Sequence, residues 1–373
     1  MEKNKIIEGK STILLSGDVF YNPKMKMLRD ISVLFVKFFS KPNDSLLDST
    51  CATGVRGIRY IKEANIKKAI FLDINKDAAE NAKKNLKLNN IDAQIKNISI
   101  QEYCSSQEKE SFEFIDLDPF GSPQPHINDI LKVAKDGTYL MVTATDTAVL
   151  CGAHSNACLK SYFAEPMHNE LCKESGIRIL IGYIVKIAAT FNFGIEPILS
   201  ISDMHYMRVF VRLEHGAKKA VSSVKECGFA SFCTDCRAFE YKKGIAPSLE
   251  HNCKFCKKDL KSYGPFYLGS INNKKVLDEF ILFNEKNKVI EHNEKFNEML
   301  SRISNELDVA FFYSIPKLTK ALGSVSVSPD KIIKRLEQKG FLASRTQFDR
   351  DGVKTTANIY DIKNILNDMI KFK

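Results

Sequence analysis

The chain has no uncharged apolar run of membrane-spanning length. Its most apolar long stretch, Ile177 to Phe193, contains Arg178 and Lys186, which argues against a membrane span. The opening Met-Glu-Lys-Asn-Lys has no apolar segment behind it, so no secretory signal is expected. There is no internal repeat, no low-complexity tract and no GxGxxG loop of the kind that cradles a pyrophosphate. Apolar residues make up 44% and charged residues 27%, a mixture that excludes wholesale disorder. Ten cysteines without a signal segment point to reduced thiols, and hence to a cytoplasmic location rather than a disulfide framework.

At 373 residues the chain is long enough for about two or three domains. Its net charge of +10 is unevenly placed. Residues 1–215 hold 27 basic and 26 acidic side chains, whereas residues 216–373 hold 28 and 19. A nearly neutral part joined to a basic one suggests chemistry in the first and capture of a polyanion, nucleic acid above all, in the second. Solvated surface lysines are the bland alternative.

The hydrophobic period supports the same division. A helix is predicted from Pro23 to Phe39, then a strand at Ser45–Asp48, a loop of small residues to Gly54 and a helix at Val55–Glu63. Strand Ala69–Asp73, helix Lys76–Leu88, strands Ala93–Lys96 and Phe112–Leu117, helix Pro125–Ala134 and strand Thr138–Thr143 follow. This alternation implies an α/β, doubly wound, Rossmann-like sheet. Helix Arg178–Phe191 leads to β runs Pro197–Ser202 and Arg208–Leu213, close enough for an antiparallel hairpin at the sheet edge. Residues 214–270 are short, turn-rich and without a long period, and 271–310 return to helix. Residues 311–373 read as a winged-helix-like unit: helices Pro316–Leu322 and Pro329–Lys339, then strands Phe341–Gln347 and Val353–Tyr360 around the turn Asp349-Arg-Asp-Gly352.

Three carboxylates end predicted strands. Leu46-Leu-Asp-Ser-Thr-Cys-Ala-Thr-Gly54 places small residues after Asp48, where such sheets bind ligands. Asp73 ends the next strand and can accept both hydroxyls of an unphosphorylated ribose. A nucleoside held without a pyrophosphate grip fits S-adenosylmethionine better than NAD. Phe114-Ile-Asp-Leu-Asp-Pro-Phe-Gly121 resembles the Asp/Asn-Pro-Pro-Tyr/Phe element of methyltransferases that act on exocyclic amino groups of bases. Such an amine is a poor nucleophile because its lone pair is delocalised into the ring. A carboxylate accepting its N–H groups raises density at nitrogen and takes up the developing positive charge. Asp118 supplies that acceptor and Phe120 a ring on which a flipped base can stack. Asp116, two residues earlier, reads as structural.

Cys233-x-x-Cys236 and Cys253-x-x-Cys256 have the spacing of two zinc knuckles and predict a structural zinc ribbon at about 227–260. Lys254, Lys257, Lys258 and Lys261, with Phe255 among them, suggest phosphate contact at the second knuckle, with plain solvation as the rival.

An ordered set of strings adds a family resemblance. Phe20-Tyr-Asn-Pro23, Arg29-Asp30, Ala52-Thr-Gly-Val-Arg-Gly-Ile-Arg59, Asp116 to Pro123 and Thr143-Ala-Thr-Asp146 are its first half. Leu150-Cys-Gly152, Gly176-Ile-Arg-Ile-Leu180, His205-Tyr-Met-Arg208, Ser344-Arg-Thr346 and Lys354-Thr355 complete it. Together they resemble the tRNA (guanine(26)-N2)-dimethyltransferase family, in an archaeal-like form bearing the CxxC…CxxC motif. The resemblance implies a Rossmann-like methyltransferase domain over 1–215 and a C-terminal tRNA-binding extension over 216–373. It implies S-adenosylmethionine held by Arg29, Arg56, Asp73, Ser99 and Ile100, with Asp118 as the catalytic group and Phe120 and Phe20 as stacking rings. The family's Asp-Ala is Ser99-Ile100 here, its His stands as Gln347 and its Ser-like residue as Cys51. The expected partner is tRNA, with no membrane, and the expected state a monomer. The alternatives are another exocyclic-amine methyltransferase acting on rRNA or DNA, and a non-catalytic zinc-ribbon/winged-helix nucleic-acid-binding regulator.

Overall fold

The computed structural model describes residues 5–16, 19–106, 111–203, 205–290, 294–321 and 327–371. Strands β1 (Lys5–Glu8) and β2 (Ser11–Leu14) form an antiparallel hairpin too short for any hydrophobic period to announce. Asn22 caps the turn Pro23–Met25, which leads into helix α1 (Lys26–Phe39). Then β3 (Ser45–Asp48), α2 (Val55–Ala64), β4 (Lys68–Asp73), α3 (Lys76–Leu88) and β5 (Gln94–Asn97) alternate as expected. They are followed by α4 (Ile100–Ser106), β6 (Phe112–Leu117), α5 (Gln124–Ile130) and β7 (Ala134–Ala144). Helices α6 (Thr147–Leu150), α7 (Ser155–Tyr162) and α8 (Cys172–Thr190) precede strands β8 (Phe193–Ser202) and β9 (Met207–His215).

Seven strands make one sheet in the order β5-β4-β3-β6-β7-β9-β8, with β9 antiparallel to both neighbours and the other pairings parallel. This is the mixed, doubly wound, Rossmann-like sheet. Alternation along its strands builds two cores. Leu46, Phe114 and Met141 pack with Ile31 and Phe35 of α1 on one face. Leu47, Ile115 and Val142 pack with Leu180, Ile181 and Ile184 of α8 on the other. The strand order reverses between the parallel neighbours β3 and β6, opening the cleft where such sheets bind ligands.

Helix α8 begins at Cys172, six residues before the predicted start at Arg178. Gly176 reads locally as a helix breaker, yet a Cβ there would lie 2.5 Å from the Met207 side chain. Close packing requires the glycine, and the helix runs through it.

The C-terminal part opens with α9 (Ala217–Lys225), absent from the sequence reading. Strands β10 (Cys227–Phe232), β11 (Phe239–Lys243) and β12 (Lys261–Tyr267) form an antiparallel sheet in the order β11-β10-β12. Helices α10 (Lys274–Asn287) and α11 (Glu294–Ser304) come next. The last unit contains β13 (Tyr313–Ser314), α12 (Ile315–Ala321), α13 (Pro329–Gln338), β14 (Ala343–Arg345), β15 (Gly352–Thr355) and α14 (Ile359–Lys371). Its helix–helix–hairpin order is that of a winged helix, although Leu322, predicted to end the first helix, lies outside the described residues. The strand predicted to reach Tyr360 stops at Thr355. Asn358 caps a new helix there, accepting from the backbone N–H groups of Tyr360 (2.8 Å) and Asp361 (3.2 Å).

Four buried charges join α8 to this last unit. Glu174 Oε1 accepts from Lys354 Nζ at 3.1 Å, from Arg178 and from the Phe311 backbone N–H at 2.8 Å. Lys354 Nζ also lies 3.0 Å from Glu306 Oε1, and Arg178 donates to the carbonyls of Tyr267 (2.9 Å) and Gly269 (3.1 Å). This joint engages Arg178 and Lys354, two residues of the motif set that have no direct chemistry.

Candidate active site

A cavity of about 510 Å³ lies at the carboxyl ends of β3, β4 and β6. Phe20, Arg29, Arg56, Asp73, Ser99, Ile100, Asp118 and Phe120 all line it, so the structure gathers every non-metal candidate residue into one site.

Its floor is the loop between β3 and α2. Gly54 adopts φ +77° at the helix start, a conformation that favours glycine. Two hydrogen bonds between loop hydroxyls and backbone lock this loop to β6 and the residue after it. Ser49 Oγ donates to the Asp116 carbonyl at 2.7 Å, and the Asp118 N–H donates to Thr50 Oγ1 at 3.1 Å. Asp73 Oδ2 accepts the Ala52 N–H at 2.8 Å and Oδ1 the Asn75 N–H at 2.9 Å. Each oxygen thus keeps acceptor capacity for a ligand while the carboxylate is held in place.

Asp118 pairs with Arg56 Nη2, and its side chain is 17% exposed. Burial opposes its ionisation, but the Arg56 and Arg208 guanidiniums outweigh that and hold its carboxyl below the ordinary value. It is therefore an anion at neutral pH. Arg56 Nη1 is buried with no hydrogen-bond partner among the described residues. It lies 3.9 Å from Oδ2 of the buried Asp116 carboxylate.

Asp116 is different. It is fully buried, accepts from Tyr60 Oη at 2.5 Å and from Arg208 Nη2 at 2.9 and 3.0 Å, and does not line the cavity. Arg208 in turn donates to Thr143 Oγ1 at 2.6 Å. Asp48 sits beside Asp116 in the parallel register. Burial and that neighbouring charge push the Asp48 carboxyl up to about 8, while the Gly57 N–H donates to it at 3.1 Å. Neighbouring carboxylates thus stand in different surroundings: Asp118 is ionised and accessible, Asp116 is clamped by Arg208 and Tyr60, and burial raises the Asp48 carboxyl.

Arg29 is more committed than its sequence context suggests. Its Nε and Nη2 grip Glu8 at 2.7 and 2.5 Å, and Nη1 and Nη2 both reach the Asn22 carbonyl at 3.2 Å. One N–H remains, enough for a single bond to a ligand carboxylate rather than a bidentate pair. Glu8 was missed from the sequence; an isolated acid in a four-residue strand gives no signal. Arg208 and Tyr60, which hold Asp116, were likewise without an assigned role.

Phe20 and Phe120 are 48% and 73% exposed, and their rings meet edge to face with centroids 4.6 Å apart. Large exposed aromatics at a cavity wall are a ready surface for a planar ring. Ser99 caps α4, its Oγ accepting the Glu102 N–H at 3.1 Å, so its hydroxyl hydrogen remains to donate. Ile100 opens that helix as an apolar wall. Gln347 lies elsewhere, donating to the Ser200 carbonyl at 3.1 Å.

The four candidate metal ligands also converge. The Sγ atoms of Cys233, Cys236, Cys253 and Cys256 all lie within 4.8 Å of one another. A tetrahedral Zn–S site at about 2.3 Å has edges of about 3.8 Å, so the thiols fit one. The two knuckles have matching turns. Arg237 N donates to the Cys233 carbonyl at 3.0 Å and Lys257 N to that of Cys253 at 2.9 Å, with Arg237 and Lys257 both left-handed at φ 65° and 63°.

Known proteins resemble the whole chain. A family model described as N2,N2-dimethylguanosine tRNA methyltransferase matches residues 2–367. A tRNA (guanine(26)-N(2))-dimethyltransferase from Thermococcus kodakarensis is 35% identical, the alignment covering 98% of this chain and 97% of the relative. Its namesake in Pyrococcus furiosus is 36% identical over 95% and 94%. The solved complex of Trm1 from Pyrococcus horikoshii with S-adenosyl-L-methionine superposes with a TM-score of 0.88 at 33% identity, covering 96% of this chain and 98% of that one. The match runs through both the cavity and the C-terminal part, which disfavours the rRNA, DNA and non-catalytic alternatives. The chain belongs to the N2,N2-dimethylguanosine tRNA methyltransferase family.

Proposed function

We propose that this chain transfers methyl groups from S-adenosylmethionine to the exocyclic N2 of guanine 26 in tRNA, first once and then again. The observation that supports it most is an ionised Asp118, paired with Arg56, reaching a cavity walled by two exposed aromatic rings. The cofactor, when bound, supplies a sulfonium-activated methyl group. Asp73 would accept from its ribose hydroxyls, and Ser99 and Ile100 would flank the adenine. Arg56 and the last free N–H of Arg29, both on the cavity wall, would meet the carboxylate of its methionine end.

The remaining half of the site serves the base. Guanine must leave its stack to enter, and Phe20 and Phe120 would hold the flipped ring. Asp118 then accepts an N2–H hydrogen bond, which raises electron density on nitrogen. The nitrogen lone pair forms the new N–C bond as the C–S bond breaks, and the excess proton passes from N2 toward Asp118. After the first transfer one N–H remains, so the same carboxylate can serve the second. Arg56, by binding Asp118, keeps it anionic before the base arrives.

Residues 1–215 would form the catalytic domain and 216–373 the tRNA-binding extension, with the zinc ribbon at about 227–260 and the winged-helix-like unit at about 311–373. Zinc is structural in this reading. The chain would act as a monomer, and the free thiols suit the cytoplasm. No helix among the described residues is long and apolar enough to cross a membrane. The test is nucleoside analysis of tRNA treated with the pure protein and S-adenosylmethionine. N2-methyl- and N2,N2-dimethylguanosine mapped to position 26 are expected, and a methylated adenine or an unmodified tRNA would overturn the reading.

A further inference from the structure

Helix α13 has two unlike faces. Ile332 and Leu336 are fully buried against the winged unit's own core. Lys331, Lys334, Arg335 and Lys339, at spacings of three, four and eight, are exposed together and line one groove of about 540 Å³ beside α14. The groove contains one acid, Asp368, 3.6 Å from Lys339. Among the described residues, Lys331, Lys334 and Arg335 have no carboxylate within 4 Å. Of the helix's own acids, Asp330 is held by Arg345 at 2.8 and 2.9 Å, and Glu337 faces a different cleft. Ser328, at the start of α13, also lines the adjoining groove that contains the exposed Arg350 of the turn between β14 and β15.

The second zinc knuckle, the sequence's own candidate for phosphate contact, presents its lysines on a turn, a loop and the start of β12 rather than along one helix face. Lys254 Nζ lies 3.2 Å from Glu240 and 3.8 Å from Glu250, so its charge is already met.

We propose that the α13 face formed by Lys331, Lys334, Arg335 and Lys339, continued by Arg350, docks the sugar-phosphate backbone of a tRNA arm. This rests on the reading of the chain as a tRNA methyltransferase and names the surface that holds the RNA. A run of cations on one helix face, three of them without a carboxylate partner among the described residues, meets successive phosphates and releases their condensed counterions, a sequence-independent interaction that falls with salt. The buried joint of Glu174, Arg178, Lys354 and Glu306 fixes the winged unit against the catalytic sheet, so RNA held on α13 has a defined reach to the cavity.

The test uses the full-length protein with Lys331, Lys334, Arg335 and Lys339 all changed to Gln, which keeps helix propensity while removing charge. tRNA binding is measured by anisotropy across a salt series, with methyl transfer kinetics alongside. The slope of log affinity against log salt should fall by about 3–4, and binding near 0.1 M salt should weaken on the order of 10²–10³-fold. KM for tRNA should rise while kcat and cofactor affinity hold. A charge-keeping variant, Lys331→Arg with Lys334→Arg and Lys339→Arg, should bind as the wild type does. A quadruple Gln variant with an unchanged slope, beside a wild type that methylates tRNA, sinks the surface and leaves the activity standing. So does a slope lost only when Lys254, Lys257, Lys258 and Lys261 become Gln. A wild type that transfers no methyl to tRNA overturns the activity and this surface with it.

Discussion

Replacing Lys354 by Met removes the single cation between two buried carboxylates, with Nζ 3.1 Å from Glu174 and 3.0 Å from Glu306. Glu174 retains Arg178 and the Phe311 N–H. Glu306 retains only the Thr346 hydroxyl at 2.6 Å and the Gln347 N–H at 3.4 Å. Both carboxyls are at most 3% exposed, so the variant must either bury uncompensated charge or protonate them. Breaking such a pair from one side costs about 3–5 kcal/mol. Burial alone would raise the Glu174 carboxyl, yet Lys354 and Arg178 hold it below its ordinary value of 4.5. A depressed folded pKa contributes stability that is present above 4.5 and is lost as pH falls through the folded value. In Lys354→Met that contribution shrinks and the Glu174 carboxyl titrates upward. The gap between wild type and variant should therefore be widest at neutral pH and narrow in acid. Urea unfolding at several pH values measures it. A loss under about 1 kcal/mol at pH 7, or a gap independent of pH, would refute the reasoning.

Asp73→Ala should weaken S-adenosylmethionine binding by about 2–3 kcal/mol, because the ribose edge loses two charge-assisted hydrogen bonds; calorimetry checks this, and NAD should not bind at all. Elemental analysis should find one zinc per chain. Cys233→Ser or Cys253→Ser should lower that content along with the stability of the C-terminal part, seen by limited proteolysis, and should weaken tRNA binding more than it slows catalysis.

What the sequence announced and what it concealed divide by distance along the chain. Asp48, Asp73 and Asp118 were legible because each ends a short apolar run whose period changes at that residue. The knuckle cysteines were legible because two thiols on one turn share one ion. Glu8 meeting Arg29, Arg56 meeting Asp118 and Glu174 meeting Lys354 are ionic choices made between remote segments, which no local period encodes. The ordered motif set pointed to Arg178 and Lys354 without a reason, and the buried joint supplies it. Helix α14 was within reach: Ile359, Ile362, Ile365 and Leu366 have helical spacing, hidden behind the β-rich Val353–Thr355. Helix α9 is only nine residues long, and the cysteine-rich turns after it masked its period.

In the proposed mechanism Asp118 is the anionic acceptor for the guanine amino group. Single-turnover methyl transfer to tRNA by Asp118→Asn, at saturating S-adenosylmethionine, tests it most directly. The substitution keeps the size of the side chain and removes both the charge and the proton acceptor. Transfer should slow by roughly 10²–10⁴ while tRNA affinity stays near that of the wild type. Near-normal transfer by Asp118→Asn would contradict the account.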